Sequence, residues 1–161
     1  NQWDVLISEE VIQHDMDASP IFDRFVLPPL KKAKLKSNKE LKYWILNTLK
    51  RNSKKGFLKK FGNISTGLIA TGDSFITDKY KIDSLIKDIP GLQAIEMEGA
   101  AVAQVAEQEN IPWVIIRIIS DSADSKAADD FDQFIKIYAK SSWEILESIF
   151  QEIPEIESLR K

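Results

Sequence analysis

Residues 93–124, QAIEMEGAAVAQVAEQENIPWVIIRIISDSAD, restrict the fold of this chain more than any other stretch. An apolar run from Leu92 to Ile95 ends in Glu96-Met97-Glu98. An Ala/Val-rich segment with helical spacing follows from Gly99 to Glu109. A β-branched run from Pro112 to Ile119 then stops at Ser120-Asp121. Strand, helix and strand in that order predict a βαβ unit with parallel strands. Parallel strands would put both acidic ends at the carboxyl edge of a sheet, where α/β proteins bind ligands. Glu98 and Asp121 would then lie side by side. Two carboxylates flanking a small substrate suit acid-assisted bond cleavage.

The other features narrow the class. The chain has 161 residues, one domain's worth and enough for a sizeable core. Its 43% hydrophobic and 29% charged content is that of a soluble globular protein. Without cysteine there is no disulfide framework and no thiolate metal site, and one histidine cannot build a histidine-rich one. No metal and no cofactor are expected. No apolar run approaches the roughly 20 residues that span a bilayer, and no signal-peptide pattern opens the chain. The expected location is therefore cytoplasmic, away from membranes. Asn1 stands where a Met would, and the first residues already read as the inside of a strand. They suggest the C-terminal part of something longer.

Charge is uneven. Residues 31–60 hold 12 of the 22 Lys/Arg and a single acidic residue, Glu40. That segment reads as a basic helical insertion in a single domain over 1–161. A basic patch admits nucleic-acid binding. However, Trp44, Phe57 and Phe61 follow apolar helix spacing or sit near turns, so they read as anchors and not as a stacking platform. A solvated basic face is the favoured reading.

Further elements follow from period and punctuation. Val5 to Ile12 is a strand that bulges or bends at Ser8-Glu9-Glu10. His14-Asp15-Met16-Asp17 begins a loop kept from helix by Pro20, Pro28 and Pro29. Ile21, Phe22, Phe25 and Val26 form an apolar patch there, either folded onto the core or serving as a subunit interface or lid. The spacing of Leu41, Trp44, Ile45, Thr48 and Leu49 predicts a helix over 38–51, capped by Ser37 or Asn38. Ile64 to Thr71 is a strand. Lys79 to Lys87 is a short helix stopped by Pro90-Gly91. After a polar loop over 122–128, a long helix runs from Asp129 to Phe150, capped by Asp129 or Asp130. Pro154 ends it and an acidic tail follows.

Three strand ends could carry chemistry. Glu96 and Glu98 share a strand face, where like charges raise one pKa; they suit sugar hydroxyls, or one is a charge partner for the following helix. Asp121, at the mouth of an apolar strand, can keep a proton and act as general acid, oriented by Ser120, or else cap the next turn. In 71–76, Gly72 permits a turn, Phe75 could stack on a flat ring and the Ile76 backbone could read its edge. His14 reads as a structural or interface histidine. No serine shows a nucleophile-elbow pattern.

Together TGDSFI (71–76), AIEMEGAAVAQVA (94–106), RIISDSAD (117–124) and FDQF (131–134) resemble the methylthioadenosine/S-adenosylhomocysteine nucleosidases of the purine nucleoside phosphorylase superfamily. Residues 5–17, ending in QHDMD, fit the same family. The resemblance covers nearly the whole chain, with 31–60 the poorest fit. It implies a three-layer αβα fold on a central mixed twisted sheet, its N-terminal part missing. It also implies hydrolysis of the N-glycosidic bond of methylthioadenosine or adenosylhomocysteine, a small nucleoside substrate, as in methionine salvage. Asp121 then matches the acid that protonates the purine N7. Met97 and Glu98 match the ribose contacts, Phe75 the ring stacked on adenine, and Ile76 the backbone that reads its edge. Ser120 supports the acid, and Phe131 falls in the helix that closes over the site. The loop from Ile21 to Pro28 resembles the part lent to a neighbour's pocket, which implies a homodimer. The family's water-activating glutamate and its following Gly-rich turn have no counterpart, and Glu9 and Glu10 lie in the wrong strand to substitute. The 161 residues alone are therefore expected to be weak or inactive. Two alternatives stay open: a phosphorylase of the same superfamily, and a non-catalytic nucleic-acid-binding module using the basic segment.

Overall fold

The structure is a computed structural model describing residues 1–121 and 127–153, the side chains of 127–133 and Lys140 excepted. Its elements are β1 Val5–Gln13, β2 Lys34–Lys36, α1 Lys39–Lys54, β3 Ile64–Thr71, α2 Lys79–Asp88, β4 Leu92–Glu96, α3 Gly99–Gln108, β5 Ile116–Ile118 and α4 Ala127–Phe150.

β1 is the spine because it is apolar on both faces. Val5, Leu6 and Ile7 are buried in succession, and Val11 and Ile12 are buried beyond the polar step; that pattern belongs to a strand covered on both sides. The expected irregularity is present, as the pairing with β3 shifts between Ser8 and Glu10. This bulge divides the other edge of β1 in two. Residues 10–12 pair with β2 and residues 5–7 with β5, both antiparallel. On the first edge β3 runs parallel to β1, and β4 runs parallel to β3. The sheet is mixed, ordered β2-β1-β3-β4, with β5 attached to β1.

The parallel βαβ unit is thus corrected. The second strand shrinks to Ile116–Ile118 and runs antiparallel to β1. Its flanks have other hydrogen-bond partners. The Ser8 amide donates to the Ile115 carbonyl (2.8 Å), the Ile115 amide to Ser8 Oγ (2.8 Å), and the Asn38 amide to the Trp113 carbonyl (2.8 Å). Backbone groups satisfied by a bulge and a cap leave little ladder to form.

Alternation sorts the core into layers. Val5, Ile7 and Ile64 face Ile45 and Leu49 of α1 and Ile145 and Ile149 of α4. Leu6, Val11 and Ile69 face Ala100, Ala103 and Ala106 of α3. Ile12, Leu68 and Ala70 meet Leu85 of α2 and Ile89. Alanines every third residue let α3 lie close to the sheet, which brings its N-terminus down onto the strand ends.

Local chemistry sets the helix limits. Asn38 Oδ1 accepts the Leu41 amide at 2.9 Å, choosing between the two expected caps. α1 continues to Lys54, past the expected end at Arg51. Asp78 caps α2 through the Tyr80 and Lys81 amides. Gly91 takes φ +86° in the turn after it, a conformation that favours glycine. α4 begins at Ala127, so Asp129 and Asp130 lie inside its first turn and not at its cap. The expected polar loop over 122–128 falls largely outside the described residues, as do Pro154 and the tail. β2, which sequence reading did not find, alternates exposed Lys34, buried Leu35 and exposed Lys36, charges that suit an edge strand. Among the described residues no helix is long and apolar enough to cross a membrane.

Candidate active site

Glu96, at the end of β4, ties together the end of β3, the start of α3 and Arg117 of β5. The carboxylate of Glu96 takes the Gly99 amide (2.9 and 2.8 Å) and the Glu98 amide (3.1 Å), so it caps α3 from outside. The Thr71 hydroxyl at the end of β3 donates to it, and the same oxygen accepts the Ala100 amide at 2.8 Å. The Gly72 amide donates to the Glu96 carbonyl at 3.1 Å. From β5, Arg117 forms an ion pair with Glu96 and a second with Glu98 at 2.9 Å.

This changes the reading of the glutamate pair. Glu96 and Glu98 do not stand as two repelling carboxylates, because one guanidinium lies against both. Glu96 is 10% exposed and committed to the fold, whereas Glu98 is 66% exposed and faces solvent. Burial lowers the pKa of Arg117 below its ordinary range, but a guanidinium remains a cation at neutral pH. Its Nε has no hydrogen-bond partner among the described residues.

The end of β5 carries the candidate acid. Asp121 is half-buried, and the Ser120 hydroxyl donates to its Oδ2 at 2.7 Å. Ser120 is itself anchored, its carbonyl accepting the Gln2 side-chain amide at 2.7 Å. The tie between this end and the Glu98 end is Arg117, four residues earlier on the same run, and not the parallel register expected of a βαβ unit.

The β3 end supplies a surface. Phe75 is 57% exposed, and Ile76 is half-buried against the cluster beneath α2. The turn before them is fastened to the end of β1: the His14 amide donates to the Thr71 carbonyl (2.8 Å) and the Asp73 amide to Asp15 Oδ2 (2.8 Å). Burial pushes the Asp15 carboxyl up, but the Asp73 amide and the Gln13 side chain outweigh it and hold the pKa below the usual value. Met97 is 41% exposed beside Glu98. The side chain of Phe131 lies outside the described residues.

Sequence reasoning missed Arg117 and Thr71. A signal for Arg117 existed: it is the one charge inside VIIRII, and a cation in an apolar run needs carboxylates. A concavity of about 460 Å³ lies elsewhere, at the β1 bulge, lined by Glu9, Glu10, Lys34, Thr66, Gly67 and Gln93 among others. No aromatic side chain lines it, so the strand ends remain the better candidate.

Residues 3–151 match the family model described as the phosphorylase superfamily. The chain belongs to the phosphorylase superfamily. Among curated relatives, the 5'-methylthioadenosine/S-adenosylhomocysteine nucleosidase of Geobacillus sp. (strain WCH70) is 38% identical over 149 residues, 92% of this chain and 61% of that protein. Among solved structures, the corresponding Neisseria meningitidis nucleosidase in complex with methylthio-immucillin-A superposes with a TM-score of 0.80 at 32% identity, covering 95% of this chain and 63% of that one. The futalosine hydrolase of Helicobacter pylori strain 26695 gives a TM-score of 0.80 at 27% identity, covering 95% and 62%. The chain thus spans about three-fifths of the length of these superfamily relatives.

Proposed function

We propose that these strand ends form the leaving-group side of an N-ribosyl hydrolase site that releases adenine from methylthioadenosine or adenosylhomocysteine. The observation that carries the reading is the Ser120–Asp121 pair, on a strand whose Arg117 grips the solvent-facing Glu98. Cleaving a ribosyl–adenine bond passes through an oxocarbenium-like state, so the base must leave neutral and the sugar must tolerate positive charge. Asp121 gives its proton to the purine ring nitrogen N7 as the C–N bond electrons move onto the base. Ser120 fixes the carboxyl that does this. Glu98 accepts from the ribose hydroxyls, and its negative charge supports the cationic sugar. Met97 lies along the ribose, Phe75 stacks on adenine and the Ile76 backbone reads its edge. These residues do not activate water. That task falls to a carboxylate that we do not identify in this chain, and adenine release by the 161 residues alone is expected to be weak.

Asp121→Asn tests the reading, since it keeps the shape and removes the proton. Adenine release from either nucleoside should fall by about 10²–10⁴-fold, the usual worth of a positioned acid, with the circular dichroism spectrum unchanged. Activity that survives the change would remove Asp121 from its role. Release that requires added phosphate would move the chain to the phosphorylase branch. The nucleic-acid reading has less support, because Lys32, Lys34, Lys42 and Arg51 of the basic segment are ion-paired with Glu107, Glu10, Glu9 and Glu152.

We also place a second copy of the chain against the loop 21–28. Ile21 is 82% exposed there, while Leu27 is buried and anchors the loop. Sedimentation equilibrium should show a dimer that Ile21→Lys weakens. The substrate class fits cytoplasmic methionine salvage.

A further inference from the structure

The only histidine of the chain sits beneath the turn that leads to Phe75. His14 is 7% exposed, and its Nε2 has no hydrogen-bond partner among the described residues. A buried polar atom left unsatisfied is uncommon and calls for an explanation. The Nε2–Cε1 edge of the ring lies against the turn. A Cβ built on Gly72 would meet His14 Nε2 at 2.2 Å and Cε1 at 2.3 Å, so only glycine fits over the imidazole. The residues around the ring tie the end of β1 to the same turn. The His14 amide holds the Thr71 carbonyl, Asp15 holds the Asp73 amide, and the Gln13 side chain holds Asp15 at 2.7 Å.

We propose that His14 is a positioning residue for the 72–76 turn, and that its neutral imidazole is what keeps the turn in the shape that presents Phe75 and Ile76. The charged groups around it are few. Asp15, its chain neighbour, favours the imidazolium, and Arg24 from the following loop opposes it. The Thr71–Gly72 backbone on the other side is neutral. Burial dominates and holds the pKa below the ordinary histidine value. A proton added at Nε2 would create a buried cation with no hydrogen-bond acceptor among the described residues. The ring could find one only by lifting Gly72 and the residues after it. Protonation would therefore displace the base-contacting turn while leaving the Glu96 node in place.

The part of this concerning adenine rests on the base-site reading above; the coupling of ring to turn does not. Because the chain has one histidine, its imidazole gives a single, unambiguous NMR signal. The intact chain is titrated from pH 8 to pH 4.5. The imidazole should titrate below 6.5, and the Gly72, Asp73 and Phe75 amides should shift with the same midpoint. His14→Phe, a ring of similar shape that cannot protonate, should abolish that shared midpoint. An imidazole that titrates while those amides stay still would overturn the proposal, and so would amides that move identically in His14→Phe. Should the variant fail to fold, the wild-type titration alone decides. Adenine is the ligand probe, and its affinity should fall several-fold across the same range in wild type only. If adenine binds at no pH while ring and turn still move together, the base-site reading fails and the positioning role stands.

Discussion

The β3–α2 and β4–α3 junctions are both strand ends at the candidate site, yet they are fixed by opposite chemistry. The β4–α3 junction is held by charge. The 10% exposed Glu96 gathers Arg117, the Thr71 hydroxyl and the Glu98 and Gly99 amides. The β3–α2 junction is held by a desolvated neutral ring, His14, over which Gly72 leaves just enough room. One junction fails when a charge is taken away and the other when a charge is added. A single site thus has two independent modes of failure, and each can be provoked without the other.

The largest effect on stability should come from Glu96→Ala. It strips Arg117 of its main partner, removes the acceptor at the start of α3 and orphans the Thr71 hydroxyl. Removing one member of a largely buried ion pair costs about 3 kcal/mol, and urea denaturation should show a loss of that order. A loss below about 1 kcal/mol would mean that Glu98 takes over both roles, which would dissolve the contrast. Gly72→Ala should come next, at about 2 kcal/mol, because the new methyl must displace the imidazole or the turn. Smaller still is the acid response of the β3–α2 side. The folded His14 has a lowered pKa, so the unfolded chain binds the proton first. The contribution is complete above about pH 6.5, the ordinary histidine value, and is lost as pH falls from there through the folded value. Thermal unfolding of wild type and His14→Phe across that range should diverge only on the acid side.

The fold was legible where periodicity was clean. Ile64 to Thr71 was readable to the residue, because an unbroken strand pattern ends at Gly72. The helix at 99–108 was readable to within one residue for the same reason. β5 was misread because a β-branched run says that a segment is extended, not which edge will accept it. Its partner was decided by a bulge more than a hundred residues earlier, at Ser8. The site was partly legible. Glu96-Met97-Glu98 and Ser120-Asp121 were recognisable as strand-end acids, but spacing alone could not divide Glu96 from Glu98. That division comes from which carboxylate lies under the α3 amides, a three-dimensional fact. His14 was read as a structural or interface histidine, while its place beneath Gly72 depends on a β1–β3 register that no local pattern contains.

The finest test of the contrast is Glu98→Gln. Glu98 is 66% exposed, and Arg117 keeps Glu96 as its partner when the outer carboxylate becomes an amide. An exposed ion pair contributes little, so stability should change by no more than about 0.5 kcal/mol. Binding should respond differently. A ribose diol loses a charged acceptor worth about 1.5–3 kcal/mol, which corresponds to roughly ten- to a hundred-fold in affinity. Calorimetric titration with a non-hydrolysable methylthioadenosine analogue, alongside denaturation of the same sample, separates the two quantities. Weakened binding at constant stability would show that two carboxylates with a single residue between them divide the work, the inner one building the junction and the outer one meeting the sugar. Equal losses of stability at Glu96 and Glu98 would show that Arg117 needs both, and that neither is reserved for substrate.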